Sequence, residues 1–503
     1  MTKNVDFEER SRSFLKWFDS QPGTTFHPAL EIVDLRDRGA GRGIIVTTDI
    51  PPETDLFTIP RSTIISEETS ELTKKLPELL SSSIAETIED DEASSDFPKS
   101  WLNLILILLY ESFHHTSSIW SPYLSVLPQS PSSFNTLMFW SHPELSELQA
   151  SAMSSKIGKD SADRMFKERI IPVINKHANI FYPASIPHVS DEELLVKCHI
   201  MGSLIMSYAF DLQPDEDSDD ENSENEDGWT EDRSKPSTMG MVPMADMLNA
   251  DAEFNAHLSH GEDSLTMTSL REIKAGEEVL NYYGPLPNGE LLRRYGYTSP
   301  KHIRYDVVEV DWKLVREVLL EEEPLKQVVG GKDHIEKAVA DIEQDEDHEA
   351  EVQDGFILER EAGDPNEQGL CITEARFVKF PDELVAIISD LMEKLLKDDT
   401  RKRKLDADSR NKLVKSEMLE VLKAIVSKRT KQYATSIAED EDLLAKADMK
   451  GRLRMAIEVR LGEKRLLAEV LMWTEGMLEK YQGRSNGHEL KEPPPGKKQK
   501  HKR

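Results

Sequence analysis

The chain has 503 residues, 38% of them hydrophobic, and a formal net charge of −32. That length exceeds what one hydrophobic core usually serves, so two or three domains are expected. The acidic excess argues against a phosphate-backbone binder and for partners that are themselves basic. With only Cys198 and Cys371 present, a disulfide framework and a cysteine-rich zinc site are excluded, and a reducing, intracellular setting is expected.

The N-terminal residues Met1 to Asp6 are polar and lack the apolar core of a signal peptide. From Leu30 to Ile65, short β-prone runs (Ile44-Ile45-Val46, Leu56-Phe57-Thr58-Ile59) are punctuated by Gly and Pro, a strand-turn-strand pattern. Just before Ile44 lies Arg38-Gly39-Ala40-Gly41-Arg42-Gly43, whose glycines allow backbone to approach a ligand. It is not a dinucleotide fingerprint, because Ile44 stands where a third glycine would be needed and a strand, not a helix, follows. Residues 83 to 100 form a Ser/Asp/Glu-rich break. Trp101 to Tyr110 is the most apolar window, far shorter than the roughly 20 residues that span a bilayer, and predicts a buried helix within a helical region of about 100 to 210. His114-His115 is an adjacent pair on a predicted helix, where side chains diverge, so no metal site is expected. Residues 213 to 235 are acidic, Ser/Asn-rich and almost free of apolar side chains, which predicts a disordered loop.

Strand patterns return between 240 and 310, and an acidic stretch of about 341 to 364 separates them from a helical C-terminal part. After Pro381, Leu384, Ile387, Ile388, Leu391 and Leu395 recur at helical spacing, and further helices are expected at 411 to 434 and 451 to 482. Pro493-Pro494-Pro495-Gly496 opens a basic tail, Lys497 to Arg503, which in so acidic a chain reads as a nuclear import signal or a solubilising end.

Two segments carry the chemistry: Asp246-Met247-Leu248-Asn249-Ala250-Asp251 and Asn281-Tyr282-Tyr283-Gly284, joined by strand-like sequence. With Gly41-Arg42-Gly43, Leu56-Phe57-Thr58-Ile59-Pro60-Arg61 and Arg294-Tyr295-Gly296-Tyr297 in the same order, the chain resembles the SET-domain lysine methyltransferases. It is similar more narrowly to the group with a split SET domain and a helical substrate-binding domain of Rubisco-methyltransferase type; Arg454 to Lys464 is similar to part of that helical domain. The resemblance implies an α+β fold: a split SET domain of small β-sheets with a helical insert, then a mainly α-helical C-terminal domain. It places the SET domain at 1–310 with its insert at about 67–210, the substrate-binding domain at 311–485 with its acidic linker at about 341–364, and the basic tail at 486–503.

By the same resemblance the methyl donor is S-adenosyl-L-methionine, Tyr283 is catalytic, and Gly41, Arg42, Gly43, Tyr208, Asn249, Ala250, Tyr283 and Tyr295 contact the donor. The donor's sulfonium polarises its methyl group, which favours a ring of carbonyl and hydroxyl oxygens, and in-line transfer to a neutral amine is dominated by positioning. Burial and a neighbouring sulfonium depress a lysine pKa from its usual 10.4, so no carboxylate base is required. Tyr282 and Tyr297 read as core aromatics with satisfied hydroxyls. The chain departs from the wider pattern at Ala250, where many SET enzymes have His, and at Tyr208, where many have Arg. The expected substrate is a lysine of a basic protein, a large-subunit (60S) ribosomal protein, monomethylated by a monomeric enzyme located in the nucleus, with the cytoplasm as a second location, and without nucleic-acid or membrane contact. A histone or transcription-factor substrate, or a SET-shaped interaction module without catalysis, are the alternatives left open.

Overall fold

A computed structural model describes residues 2–81, 98–212, 238–321, 332–344, 355–397, 407–446 and 448–482. The acidic segment 213–235, the basic tail 486–503 and most of the break at 83–100 lie outside the described residues. The chain forms two compact units. One holds Met1–Val307, Arg360–Arg376 and Thr435–Glu463, and the second holds Val308–Glu359, Phe377–Ala434 and Lys464–Arg503.

In the first unit, strands β1 (Thr25–Phe26), β2 (Leu30–Asp34), β3 (Arg42–Val46) and β4 (Asp55–Pro60) occupy the region read as strand-turn-strand. After them come β5 (Ala209–Asp211), β6 (Met239–Met241), β7 (Asn249–Ala250), β8 (Ala256–His260), β9 (Ser264–Ser269) and β10 (Leu280–Asn281). An antiparallel sheet runs β1-β4-β9-β8, while β2 pairs with β3, β5 with β6, and β7 with β10. Strand β9 shows why the sheet forms: Leu265, Met267 and Ser269 point inward and the threonines between them outward, the alternation of a pleated strand with one covered face. In β3 and β4, Ile44, Val46, Leu56, Phe57 and Ile59 are fully buried, each side chain contributing roughly 1.5–3 kcal/mol of transfer free energy.

The apolar window forms the helix Lys99–Phe113, buried from Leu102 through Glu111, so it is core; no described helix is long and apolar enough to cross a membrane. The helix Asp191–Tyr208 starts at a capping box in which Ser190 and Glu193 satisfy each other's backbone N–H groups, and it ends by delivering Tyr208. Its last turn is tied down by Ser207 Oγ, which donates to the Arg294 carbonyl at 2.7 Å. Arg294 lies in the helix Asn288–Tyr295, which stops because Gly296 takes a left-handed φ of +77°. A Cβ at 296 would come within 2.9 Å of the Thr136 nitrogen, so glycine is needed both for the turn and for the close approach.

The second unit is mainly helical: Trp312–Glu321, Lys332–Glu343, Asp382–Lys397, Ala407–Thr430 and the part of Gly451–Gln482 that begins at Lys464. In Asp382–Lys397, Leu384, Ile387, Ile388, Leu391 and Leu395 are all fully buried, as their spacing predicts. The acidic stretch read as a linker is partly regular structure, because β12 (Phe356–Leu358) pairs antiparallel with β11 (Val308–Val310). Phe356 and Leu358 are buried, and two apolar residues at period two form a strand within a charged stretch.

Candidate active site

The two central segments meet as the parallel pair β7 and β10, with Asn249 opposite Leu280 and Ala250 opposite Asn281. Two residues each is too short to persist alone, and side chains hold the pair. Asn255 donates from Nδ2 to the Glu278 carbonyl at 2.8 Å and accepts from the Leu280 N–H at 2.8 Å. The chain enters β7 through Met244, fully buried and held at φ +81°, a conformation that costs a non-glycine residue of order 1–3 kcal/mol. From there a short 3₁₀ turn, Ala245–Met247, places Asp246 and leads into Asn249.

Strand β3 joins the same site through backbone bonds from the Val46 N–H to the Glu277 carbonyl and from the Val279 N–H to the Ile44 carbonyl, at 2.9 and 2.8 Å. Asn249 closes this side, its Nδ2 donating to Glu278 Oε1 at 2.6 Å and to the Arg42 carbonyl at 3.2 Å. Burial pushes the Glu278 carboxyl up, against the pull of Asn249. The packing explains Gly43: a Cβ there would fall 2.4 Å from Leu35 Cδ1, 2.7 Å from Glu278 Oε1 and 3.0 Å from Asn249 Nδ2. At Gly41 nothing lies within 4 Å of where a Cβ would stand.

Opposite is an aromatic side. Tyr283 stacks on Tyr295 with ring centroids 4.3 Å apart and planes 15° apart, and Tyr297 meets Tyr295 edge-on at 6.4 Å. The hydroxyls are tied to β7 and its approach: Tyr283 donates to the Leu248 carbonyl and Tyr297 to the Ala250 carbonyl, both at 3.1 Å. Burial, helped by the neighbouring tyrosines, pushes the Tyr283 hydroxyl well above its ordinary value and raises Tyr297 likewise. Tyr282 stacks instead on Phe254, with ring centroids 4.6 Å apart.

Between the two sides lies a cavity of about 920 Å³. Gly41, Arg42, Tyr208, Asn249, Ala250, Tyr283 and Tyr295 all line it. Gly43 does not; it packs behind Asn249. Two features of the lining were not read from the sequence. Asp246 is buried with Oδ2 accepting from Tyr123 Oη, while its Oδ1 has no hydrogen-bond partner among the described residues; burial pushes this carboxyl up to about 8. The N-terminal helix Thr2–Asp19 brings Asp6, Phe7 and Arg10 to the rim, and Phe7 has the Arg42 guanidinium 3.8 Å and the Arg36 guanidinium 4.1 Å from its ring centre. Tyr297 belongs with them: read as a core aromatic, it lines the cavity. Its position two residues after Tyr295, across the Gly296 turn, was the available signal.

Comparison with known proteins agrees with this geometry. Residues 41–284 match the family model of the SET domain, and residues 382–467 match that of the Rubisco LSMT substrate-binding domain. The chain thus carries a SET domain and a Rubisco LSMT substrate-binding domain and is a protein-lysine N-methyltransferase whose methyl donor is S-adenosylmethionine. Over 318 residues it is 36% identical to ribosomal lysine N-methyltransferase 4 of Saccharomyces cerevisiae, a match covering 63% of this chain and 61% of that protein. It is 26% identical over 481 residues to N-lysine methyltransferase setd6 of Xenopus laevis, covering 92% of this chain and 94% of that one. The fold is similar to the crystal structure of the SET domain of LSMT bound to lysine and AdoHcy, with a TM-score of 0.56 at 18% identity over 95% of this chain and 93% of that chain.

Proposed function

We propose that this protein transfers one methyl group from S-adenosylmethionine to the ε-amine of a lysine in a large-subunit ribosomal protein. The observation that carries the reading is the Tyr283 hydroxyl, held over the cavity by Leu248 and by the stacked Tyr295. The donor supplies an electrophilic methyl on a sulfonium. The residues present fit such a group: a cavity of about 920 Å³ is within the size of small-molecule sites, Gly41 leaves open space, and Asp246 Oδ1 is a buried polar atom without a hydrogen-bond partner among the described residues. Asn249, the Ala250 backbone, Tyr208 and Tyr295 would hold it together with Gly41 and Arg42, Gly43 serving by letting Asn249 pack.

Tyr283 acts as a hydrogen-bonding group and not as a base, because its raised pKa keeps the hydroxyl protonated throughout the physiological range. The burial that raises the tyrosines lowers an ammonium entering among them, so the lysine arrives neutral and its proton leaves to solvent. The close set of Tyr283, Tyr295 and Tyr297 leaves little width for a bulkier amine and supports monomethylation. The ribosomal assignment is supported by the name of the yeast relative and by the net charge of −32, which suits a basic substrate. The basic tail, Lys497 to Arg503, supports nuclear import.

The test is transfer of labelled methyl from S-adenosylmethionine to separated ribosomal proteins and histones, with wild type and Tyr283→Phe in parallel. One labelled large-subunit protein, lost in the variant, is expected. Labelling confined to histones would overturn the substrate assignment, and full activity in the variant would overturn the role of Tyr283.

A further inference from the structure

We infer that the Arg42 guanidinium is the receptor for the carboxylate of an amino-acid-bearing ligand in the cavity. This inference rests on the reading of the cavity as the methyl-donor site, since S-adenosylmethionine ends in an amino acid. Of the arginines that line the cavity, Arg36 and Arg10 are already paired. Arg36 is held by Asp34, with its Nε 2.8 Å from Oδ1, and Arg10 by Asp6 at 2.9 Å. Arg42 has no carboxylate within 4 Å among the described residues. Its bonds go to neutral acceptors: Nε to Ser11 Oγ at 2.9 Å, Nη1 to the Val126 carbonyl at 2.8 Å and Nη2 to the Phe7 carbonyl at 3.4 Å.

Those three bonds leave two of the five guanidinium donors uncommitted, one on each terminal nitrogen, the pair a carboxylate can take bidentately. Arg42 is also a cation in an unfavourable place. Burial first, then the charges of Arg10 and Arg36, lower its pKa to about 10, and an anion bound beside it would offset that cost. The remaining arginines of the lining are less suited: Arg38 is exposed, and Arg36 is exposed and engaged by Asp34. Position 208 gives no alternative cation, because Tyr208 occupies it; that tyrosine feels both Asp246 and Arg42. Thus the cation of this lining comes from the strand, between its two glycines.

The experiment is calorimetric binding of S-adenosylmethionine and of its decarboxylated analogue to the full chain. Wild type is expected to prefer the carboxylate-bearing ligand by on the order of 10- to 100-fold, the range of a charge-assisted hydrogen bond. Arg42→Met is expected to bring that ratio close to one while changing affinity for the decarboxylated ligand only a few-fold. Should Arg42→Met fail to fold, Arg42→Lys, which keeps the charge and loses the planar fork, reads the same ratio and is expected to lower it several-fold. Ser11→Ala, which removes one tie between Arg42 and the N-terminal helix, is expected to keep the wild-type ratio. An unchanged ratio in a folded Arg42 variant overturns the inference alone. Failure of wild type to bind either ligand overturns the donor-site reading, and the inference with it.

Discussion

On the glycine side of the cavity, β3 and Asn249 approach so closely that one added carbon at Gly43 would meet three side-chain atoms within about 3 Å, the nearest at 2.4 Å. On the tyrosine side, Tyr283, Tyr295 and Tyr297 fill the space with rings, and Tyr283 and Tyr297 spend their hydroxyls on carbonyls of the β7 segment. One side is shaped by the absence of side chains and is intolerant of volume; the other is made of side chains whose loss would leave the backbone in place. Changes on the glycine side should therefore act through folding and shape, whereas hydroxyl deletions on the tyrosine side should act through chemistry with the fold intact.

The largest expected effect breaks that symmetry at Tyr283. Removing its hydroxyl in Tyr283→Phe takes away a positioned hydrogen-bonding group, and a fall in kcat on the order of 10²-fold is expected, by analogy with deletion of a single preorganised hydrogen-bonding group. The melting temperature should change little, since one hydrogen bond nets only about 1 kcal/mol. A parallel loss of kcat and stability would contradict the comparison. Next is Gly43→Ala, for which overpacking should cost about 1–3 kcal/mol in denaturant unfolding and weaken donor binding by displacing Asn249. Gly41→Ala sharpens the contrast: with nothing within 4 Å of its Cβ, stability should stay within about 0.5 kcal/mol while titration shows weaker donor binding.

Much of this was legible in the sequence, for identifiable reasons. The order of short motifs from Gly41 to Tyr297 revealed the SET fold and brought Tyr283, Asn249 and Gly41 to one place, because those positions are constrained locally by turn, strand and carbonyl geometry. The helix Asp382–Lys397 was legible because its five apolar residues repeat at helical spacing. Asp246 stands out in the sequence only as part of a motif. Its pairing with Tyr123 spans 123 residues, and no periodicity encodes such a contact. Phe7 was equally silent, an aromatic flanked by Asp6 and Glu8 whose value depends on two arginines arriving from β3 and the turn before it. The β11–β12 pair was masked by the acidic composition around it.

Asp246 also links the two sides to pH. A carboxyl of the unfolded chain titrates near 4, and burial raises Asp246 to about 8, so between those values folding takes up a proton. Its contribution favours the folded state at the acid end of that window, declines as pH rises through it, and is lost above about 8. Asp246→Asn cannot ionise, so its stability relative to wild type should rise steadily from pH 5 to pH 8 in denaturant titrations. A parallel pair of stability curves would show that Asp246 is ionised in the folded protein at neutral pH.

The smallest expected effect is at Tyr297, and it tests whether the tyrosine side is one unit or two. Its hydroxyl bonds the Ala250 carbonyl, whereas that of Tyr283 bonds the Leu248 carbonyl, and only the latter is assigned to the transfer. Tyr297→Phe leaves the Ala250 carbonyl without its side-chain partner, a cost of about 1 kcal/mol. It should raise the KM for S-adenosylmethionine modestly with kcat nearly unchanged, the mark of lost uniform binding. A kcat loss as deep as that of Tyr283→Phe would mean that the two hydroxyls act together on the transferring group. A normal KM and kcat would confine Tyr297 to packing against Tyr295.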